Sequence, residues 1–494
     1  MLPLAPNEQL ILATLIVALC GACKDDSATA PRPAVPVVTT VDVQVNPLNA
    51  LSLVVRFEAS HADSARAVYR KKDGTVGATP YVSARAATSD MLGRIVALGL
   101  EPSTEYFVSV EVRAASTTVQ SDTLRASTGA LPDALRSLRF ADSDEPMGAP
   151  SGYLLVVPFV PQWGDRLAYI VVFDRTGRLV WYREFINQGW AVEAKQQANG
   201  HITVFLGRSY GWQPDAGRYV EVAPDGEIVG TFASRAVPYT DPHDLLLTFD
   251  DMGWTVAHLL GYSLRGVDLS SLGGPNDTTL AVHVIERQEA GATRLVWDAG
   301  DHYSALDWPS SPPRPSDLVH PSSLDIDNDG NYYVSLQGIN EIVKIDGHTG
   351  RTLWRFGGRR NEFTILDDRL HGFRGQHSVR VLKHGDLLLF DNRRGESPGA
   401  ARVVQYALDT QRMTARMVWT YAPSPSIASP IMGSVQRLAS GNTVVGFSVA
   451  GRIIEVDARA RVLWDAELTR EPDGTPTQFY RALRIASLYG YARP

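Results

Sequence analysis

DGNYYVSLQGINEIVKIDGHTGRTLW, residues 329–354, is the stretch of the sequence that decides the fold. It begins with an Asp-Gly turn, continues with two apolar runs separated by a turn, and ends in a tryptophan after a further turn at Asp346. Short apolar runs that are bounded by Gly, Asp and Asn turns indicate antiparallel strands. The stretch therefore predicts three consecutive strands of a larger β-unit.

The same unit recurs from Tyr153 onward. Its first half, a strand followed by a polar turn and a second strand, is also found at 199–204, 384–389 and 440–445. Its second half, a strand and a turn followed by a strand that ends in tryptophan, is also found at 171–181, 453–464 and, more diverged, up to Trp419. Four strands per unit at a period of roughly 55 residues are typical of a β-propeller.

The number of units predicts six blades, and seven stay open because the segment 253–319 is long and irregular. Residues 479–488 form one predicted strand with no partner after it, whereas 153–159 begins a unit that lacks its innermost strand. We expect these two strands to pair and to close the ring. The propeller then occupies residues 153–494, and it does not survive truncation at the C-terminus.

A smaller domain precedes the propeller. Residues 38–130 contain short alternating strands at a spacing typical of a β-sandwich. The segment LEPSTEY, ending at Tyr106, resembles the tyrosine corner of fibronectin type III domains. The predicted fold class is therefore all-β: a six-bladed β-propeller preceded by a small fibronectin type III or immunoglobulin-like β-sandwich. We interpret the sandwich as a spacer rather than a binding module, and residues 131–152 as a linker.

The N-terminus has the pattern of an export signal. An apolar run at 10–20 is too short to span a bilayer comfortably, but it fits the hydrophobic region of a secretory signal. The run ends in LCGAC, which resembles a bacterial lipoprotein signal with Cys23 as the lipidated residue. We expect a lipoprotein signal peptide over 1–22, a linker over 23–37, and an exported, periplasmic or cell-envelope protein that a lipid anchors to the membrane.

Composition excludes several classes of function. The net charge of −7 argues against a nucleic-acid partner, which normally leaves a basic footprint. Both cysteines, Cys20 and Cys23, lie in the signal region, so the remaining chain has no disulfide framework, no cysteine-based metal site and no cysteine nucleophile.

Three histidines occupy a similar register in successive units. His243 lies ten residues before Gly253, His320 lies ten before Gly330, and His377 lies eight before Gly385. The innermost strand of a blade starts at the central channel, so we expect these histidines to line its mouth. Three interpretations are open at this point: each histidine buttresses its own strand, the three hold a zinc ion, or they act as nucleophile and proton carriers.

Several motifs resemble the bacterial arylsulfotransferase family. They are DPHD at 241–244, HPSSL at 320–324, GQHSV at 375–379 leading into LFDN at 389–392, VKID at 343–346 with WRFGG at 354–358, and GSVQRL at 433–438. The resemblance covers most of 153–494. It implies a six-bladed propeller that moves a sulfuryl group from a small aromatic sulfate donor to a phenolic acceptor, without a cofactor or a metal.

The resemblance also implies roles for the three histidines. His377 is the nucleophile that becomes transiently sulfurylated in a ping-pong mechanism. His320 binds the sulfuryl oxygens, and His243 assists proton transfer at the phenolic oxygen. Sulfuryl transfer, like phosphoryl transfer, is catalysed mainly by positioning and by donors to the equatorial oxygens.

One position departs from the family pattern. Where the family has a sulfate-binding arginine, this chain has Gln337, and losing such a donor costs about 3 kcal/mol. Arg208 and Arg393 are candidates to supply the missing charge, and Phe373 is a candidate to flank an aryl ring.

Two alternatives remain at this stage. Gln337 favours a non-catalytic propeller that binds a ligand or a protein, and the histidines also fit a hydrolase, either with or without a metal.

Overall fold

The computed structural model describes residues 35–83, 90–142, 152–207, 217–308, 317–396, 401–470 and 474–490. Within these ranges the regular structure is almost entirely β, with one short helix, α1 (Asp133–Arg136). Short 3-10 helices lie at Pro161–Trp163, Ser270–Leu272, Ala299–Asp301, Ala305–Asp307, Gln337–Ile339 and Ser448–Ala450. No helix in the described ranges is long and apolar enough to cross a membrane.

The N-terminal strands form a β-sandwich. They are β1 (Val37–Val45), β2 (Leu53–Ser60), β3 (Ser64–Lys71), β4 (Val76–Ala78), β5 (Val82–Ser83), β6 (Asp90–Ala97), β7 (Glu105–Ala114), β8 (Thr117–Gln120) and β9 (Leu124–Ser127). One sheet has the order β1-β2-β6, and the other has the order β4-β3-β7-β8, with β5 beside β3 and β9 beside β7. Alternate side chains of both sheets, such as Val55, Phe57, Val108 and Val110, form one buried core.

The predicted tyrosine corner contact is present in this sandwich. Tyr106 is buried, and its hydroxyl accepts a hydrogen bond of 2.9 Å from the backbone N–H of Glu101. The all-β class with a sandwich ahead of a propeller is confirmed, whereas the fibronectin type III assignment stays a prediction that rests on this contact.

The first half of the propeller contains three blades. Its strands are β10 (Leu138–Asp142), β11 (Tyr153–Phe159), β12 (Leu167–Phe173), β13 (Leu179–Ile186), β14 (Trp190–Gln196), β15 (Ile202–Gly207), β16 (Arg218–Val222), β17 (Ile228–Phe232), β18 (Tyr239–Phe249), β19 (Thr255–Val267), β20 (Thr278–Glu289) and β21 (Ala292–Asp298). The second and third blades are the antiparallel sheets β14-β15-β16-β17 and β18-β19-β20-β21. The irregular segment 253–319 thus belongs to the third blade, whose strands are long.

The second half contains three more blades. Its strands are β22 (Pro321–Ile326), β23 (Tyr332–Leu336), β24 (Glu341–Ile345), β25 (Thr352–Gly357), β26 (Thr364–Leu366), β27 (His377–Val381), β28 (Leu387–Asp391), β29 (Arg402–Asp409), β30 (Thr414–Tyr421), β31 (Ser434–Arg437), β32 (Thr443–Phe447), β33 (Arg452–Val456), β34 (Val462–Arg470), β35 (Thr475–Pro476) and β36 (Gln478–Ile485). The blades are β22-β23-β24-β25, β27-β28-β29-β30 with β26 at its outer edge, and β31-β32-β33-β34 with β35 and β10 beside β34.

The last strand closes the ring. β36 pairs antiparallel with β11 and completes the first blade, in the order β36-β11-β12-β13. Each innermost strand packs against the innermost strand of the next blade, from β36 through β14, β18, β22, β27 and β31 and back to β36. The part of the chain that the structure describes therefore forms six blades, and the predicted closure is confirmed.

Strand β10 lies within the predicted linker 131–152 but joins the sixth blade. It pairs antiparallel with β34, with Leu138 opposite Arg470. Leu135 and Leu138 are buried in the core between the sixth and first blades, and burial of these apolar side chains explains why the segment is ordered against the propeller.

The repeated tryptophan joins neighbouring blades. Trp181 of the first blade donates its indole N–H to the carbonyl of Pro224 in the second blade, at 2.8 Å. Trp419 of the fifth blade makes the corresponding bond to Ala458 in the sixth, at 3.1 Å. At these two junctions the tryptophan therefore contributes a hydrogen bond between blades in addition to apolar area.

Buried ion pairs join the innermost strands. The guanidinium of Arg481 on β36 lies 2.7 Å from a carboxylate oxygen of Glu193 on β14 and 3.1 Å from one of Asp244 on β18. Lys195 and Arg380 also pair with Asp244. These charges compensate one another inside the ring, as buried charges must.

Candidate active site

The three histidines of the sequence pattern lie at the starts of three successive innermost strands. His243 is near the start of β18, His320 directly precedes β22, and His377 is the first residue of β27. The rings of His243 and His320 meet edge to face, with centroids 4.9 Å apart. His320 and His377 are almost fully buried, and the side chain of His243 is 15% exposed. The structure thus brings together all three predicted site histidines.

His377 is oriented by a neutral amide. Its Nδ1 lies 2.8 Å from Oδ1 of Asn392 and 2.9 Å from the carbonyl oxygen of Gly375, both of which can only accept. The amide nitrogen of Asn392 donates to the carbonyls of Ser429 and Met432, which fixes its oxygen toward the histidine. Nδ1 therefore carries the hydrogen, and Nε2 presents its lone pair.

Burial keeps His377 neutral. It lowers the pKa of His377 to about 3, against the opposing effect of the hydrogen bond to Asn392. The nearby rings of His320 and His243 add to the lowering, because a second positive charge beside them is unfavourable. A neutral imidazole with a free Nε2 is the form that acts as a nucleophile.

His320 is oriented by a carboxylate. Its Nδ1 lies 2.8 Å from Oδ2 of Asp317, and the other oxygen of Asp317 accepts the backbone N–H of His320 at 2.9 Å. The φ angle of 48° places His320 in the left-handed region, which costs a non-glycine residue about 1 kcal/mol. The two bonds to Asp317 and the bond from the N–H of Gln337 to the carbonyl of His320 hold this conformation.

His243 has the same kind of partner. Oδ1 of Asp241 accepts both the Nδ1 hydrogen of His243, at 2.8 Å, and its backbone N–H, at 2.9 Å. The carbonyl of His243 accepts a bond from Arg481. A carboxylate at Nδ1 stabilises the imidazolium form, so His243 and His320 are suited to donate from Nε2.

Gln337 lies beside His320 and Gly375. Besides its backbone bond to His320, its side-chain nitrogen lies 3.4 Å from the point that a Cβ at Gly375 would occupy. Gln337 is 4% exposed. A buried amide therefore lies beside His320, at the position where the resemblance predicts an arginine.

Arg393 does not supply the missing charge. Its guanidinium forms a two-pronged ion pair with Glu396 and donates to the carbonyl of Gly372. This corrects the prediction from the sequence, because the charge is already neutralised by Glu396. Arg208, the other candidate, lies outside the described residues, as does Cys23.

Phe373 is a core residue. It is 6% exposed, and its ring packs edge to face against Phe356 and Tyr406, with centroids 5.1 and 6.4 Å away. This corrects the prediction that Phe373 flanks a substrate ring, because the ring fills the core between the fourth and fifth blades.

Sequence reasoning missed the partners of the histidines. Asp241 lies two residues before His243 in the DPHD motif, and Asn392 lies in the LFDN motif that follows GQHSV. This short spacing along the chain could have identified both residues as partners of the histidines. Asp317 follows a proline-rich run, where no periodicity points to a site.

No group of three or more His, Cys, Asp or Glu side chains among the described residues is arranged to hold a metal ion.

The fold and the site define the class of protein: a six-bladed propeller with a cluster of oriented histidines at the starts of adjacent innermost strands. Residues 285–469 match the family model described as arylsulfotransferase (ASST). The matched region contains His320, Gln337, His377 and Asn392, whereas His243 lies before it.

Solved structures resemble the chain only weakly. A protein of unknown function from Bacteroides caccae is 14% identical, with 68% of this chain and 100% of that chain covered and a TM-score of 0.38. A virginiamycin B lyase from Staphylococcus aureus is 11% identical, with 66% and 87% covered and a TM-score of 0.33. Likenesses of this strength say nothing about activity. No curated protein matches the chain.

Proposed function

We propose that the protein transfers a sulfuryl group from an aryl sulfate ester to a phenolic acceptor through a sulfohistidine at His377. The observation that carries this proposal is the difference between the Nδ1 partners. His377 faces the neutral amide of Asn392, whereas His243 faces Asp241 and His320 faces Asp317. One histidine is therefore prepared as a nucleophile and two as proton donors.

In the first half-reaction, Nε2 of His377 attacks the sulfur, the sulfur–nitrogen bond forms and the bond from sulfur to the aryl oxygen breaks. His320 donates to a sulfuryl oxygen, and His243 gives its proton to the departing phenolate. In the second half-reaction, the acceptor phenol returns a proton to His243 while its oxygen attacks sulfur and the bond to His377 breaks. No other reactant is needed.

The test mixes the purified protein with an aryl sulfate whose phenol is coloured, with and without an acceptor phenol. Colour that depends on the acceptor, together with an intact-mass adduct of one sulfuryl group that is absent from His377→Ala, supports the proposal. Colour without any need for an acceptor indicates a hydrolase instead. Neither colour nor adduct over a panel of donors contradicts the proposal.

Gln337 favours a second function, a propeller that binds an aromatic sulfate without turning it over. A neutral amide beside the site retains hydrogen-bond donors but lacks the charge that stabilises the transition state. Calorimetric binding of an aryl sulfate that is lost in His320→Ala, combined with the absence of an adduct, would favour this function.

We also propose that the protein is exported and anchored to the membrane by a lipid on Cys23. The support is the apolar run at 10–20 followed by LCGAC. Labelling with a radioactive fatty acid in a bacterial host tests it, since Cys23→Ser should lose the label and Cys20→Ser should keep it. Equal labelling of both variants would contradict this assignment.

A further inference from the structure

A further buried histidine, His283, joins the two carboxylates that orient His243 and His320. His283 on β20 is 2% exposed. Its Nε2 lies 3.2 Å from Oδ2 of Asp241, and its Nδ1 lies 3.4 Å from Oδ1 of Asp317. The remaining oxygens of these carboxylates lie 2.8 Å from Nδ1 of His243 and of His320. The five side chains thus form a continuous chain from one site histidine to the other.

The fold explains how this chain assembles. Asp317 forms a parallel bridge with Ala281, and the N–H of Leu318 donates to the carbonyl of Ala281, which places Asp317 beside β20 two residues before His283. On the other side, β18 leaves its regular ladder with β19 between Thr240 and Leu245, and this irregular stretch carries Asp241.

The two carboxylates determine the protonation of His283. Both ring nitrogens lie within ion-pair distance of a carboxylate oxygen, which can only accept, although the contact of Nδ1 with Asp317 does not have hydrogen-bond geometry. A neutral imidazole has a single N–H to offer, so it can satisfy only one of the two carboxylates. Burial opposes a positive charge, but the carboxylates of Asp317 and Asp241 outweigh it and raise the pKa of His283. The titratable groups that face the ring of His283 are Asp241 from β18, Asp317 from the segment before β22 and Tyr262 from β19. The ring centroids of Tyr262 and His283 are 5.5 Å apart.

The charges of Asp241, Asp317 and His283 limit how many protons His243 and His320 can hold. Two carboxylates and one imidazolium leave a net charge of one negative unit for His243 and His320 to balance. One shared proton makes the cluster neutral, and a second proton would leave a buried excess of positive charge.

We propose that His283 is a positioning residue that holds Asp241 and Asp317 as an imidazolium and so limits His243 and His320, in the protein without substrate, to one proton between them. Its catalytic meaning rests on the proposed function: the negative charge of a bound aryl sulfate balances a second proton, so in the complex His320 can donate to a sulfuryl oxygen while His243 gives its proton to the departing phenolate. The charge state itself does not depend on that function.

The first experiment uses the purified protein without substrate. Histidine rings labelled with ¹⁵N are followed by NMR between pH 6 and pH 8, with each signal assigned from single-site variants. We expect both nitrogens of His283 to stay protonated over this range. A ring nitrogen of His283 without a proton at pH 7 would overturn the proposal, whether or not the protein transfers sulfuryl groups.

The second experiment compares charge variants. His283→Gln removes the positive charge, so a second proton enters the pair and the titration of the His243 and His320 signals moves upward by about one pH unit. The double variant His283→Gln with Asp317→Asn removes one charge of each sign and should move the titration back toward the wild-type range. An unchanged titration in His283→Gln would overturn the proposal.

A kinetic arm separates this inference from the proposed function. If sulfuryl transfer occurs, the pH–rate profile of His283→Gln should shift to higher pH by a similar amount, whereas a merely structural loss would lower the rate equally at every pH. His258→Gln is the matched control, because that buried histidine faces the hydroxyls of Thr248 and Tyr332 rather than carboxylates. Its profile should not move. Complete absence of transfer in the wild type contradicts the proposed function and leaves the NMR test of His283 valid.

Discussion

Oδ1 of Asn392 lies 2.8 Å from Nδ1 of His377, and this neutral contact distinguishes His377 from the other two site histidines. Asp241 and Asp317 occupy the corresponding place beside His243 and His320. A carboxylate favours the charged ring and an amide does not, so the proposed roles of nucleophile and proton donors rest on this single difference.

The variant His377→Ala should lose the sulfuryl adduct and reduce transfer by roughly 10³-fold or more, because no other group replaces the Nε2 nucleophile. Intact mass and acceptor-dependent colour release measure both effects. His384→Ala is the matched control, since His384 lies in an exposed turn of the same blade. An adduct of normal yield on His377→Ala would contradict the assignment.

Asn392→Asp should move the acid limb of the pH–rate profile to higher pH. A carboxylate at Nδ1 raises the pKa of His377 from about 3, so protonation removes the nucleophile at a higher pH than in the wild type. Rates at pH 5 then fall more than rates at pH 8. Asn392→Ala, which adds no charge, should lower the rate without moving the limb. If both variants keep the wild-type limb, Asn392 does not control the protonation of His377.

The stability of the propeller should decrease as the pH falls from 7 to 5. Burial lowers the pKa of His258 and of His377 to about 3, whereas in the unfolded chain both titrate near 6.5. The unfolded state therefore binds more protons over this range, and each histidine should cost about 2 kcal/mol at pH 5. Urea unfolding at the two pH values measures the loss. His258→Gln and His377→Gln should each show a smaller pH dependence than the wild type, and an unchanged dependence would refute the prediction.

Gln337→Arg should increase the transfer rate if the missing charge limits it. A guanidinium beside His320 and Gly375 can donate to the sulfuryl oxygens, and one such donor contributes about 10² to 10³ in rate. Steady-state kinetics with a fixed donor and acceptor measure the gain. Gln337→Met, of similar volume without donors, should be slower than the wild type. If Gln337→Arg lacks activity although the wild type has it, the site has adapted to a neutral residue.

Removal of residues 478–494 should prevent stable folding. β36 is the innermost strand of the first blade, and its Arg481 compensates the buried carboxylates of Glu193 and Asp244. Its loss exposes the edge of β11 and leaves both carboxylates without this partner. Circular dichroism and thermal unfolding measure the effect, and removal of 491–494 alone is the control. A cooperative transition in the longer truncation would contradict the role of ring closure.

The propeller could be predicted in detail because its signals are local. The alternation of apolar residues, the Asp-Gly turns and the terminal tryptophan recur within each unit, and they predict the strands, the six blades and the closure by β36. The register of His243, His320 and His377 relative to turn glycines is likewise a property of short segments, and it places them near the starts of three successive innermost strands.

Two predictions about the site were wrong because neighbours along the chain do not determine where a side chain lies. Arg393 follows Asn392 directly, yet its guanidinium binds Glu396. Phe373 precedes His377 by four residues, yet its ring fills the core beside Phe356. In both cases the direction of the backbone between the two residues determines where the side chain points, and that direction depends on packing.

The sequence by itself determined the fold class, the number of blades and the three histidines, since these follow from periodic patterns of hydrophobicity and turns. Only the tertiary structure decided what each imidazole faces. Asp317 and His283 reach the site from segments that are separated along the chain from His243, and Asn392 reaches it across a hairpin. Hydrogen-bond partners and buried charges depend on distances between such segments, and these distances cannot be predicted from a local sequence pattern.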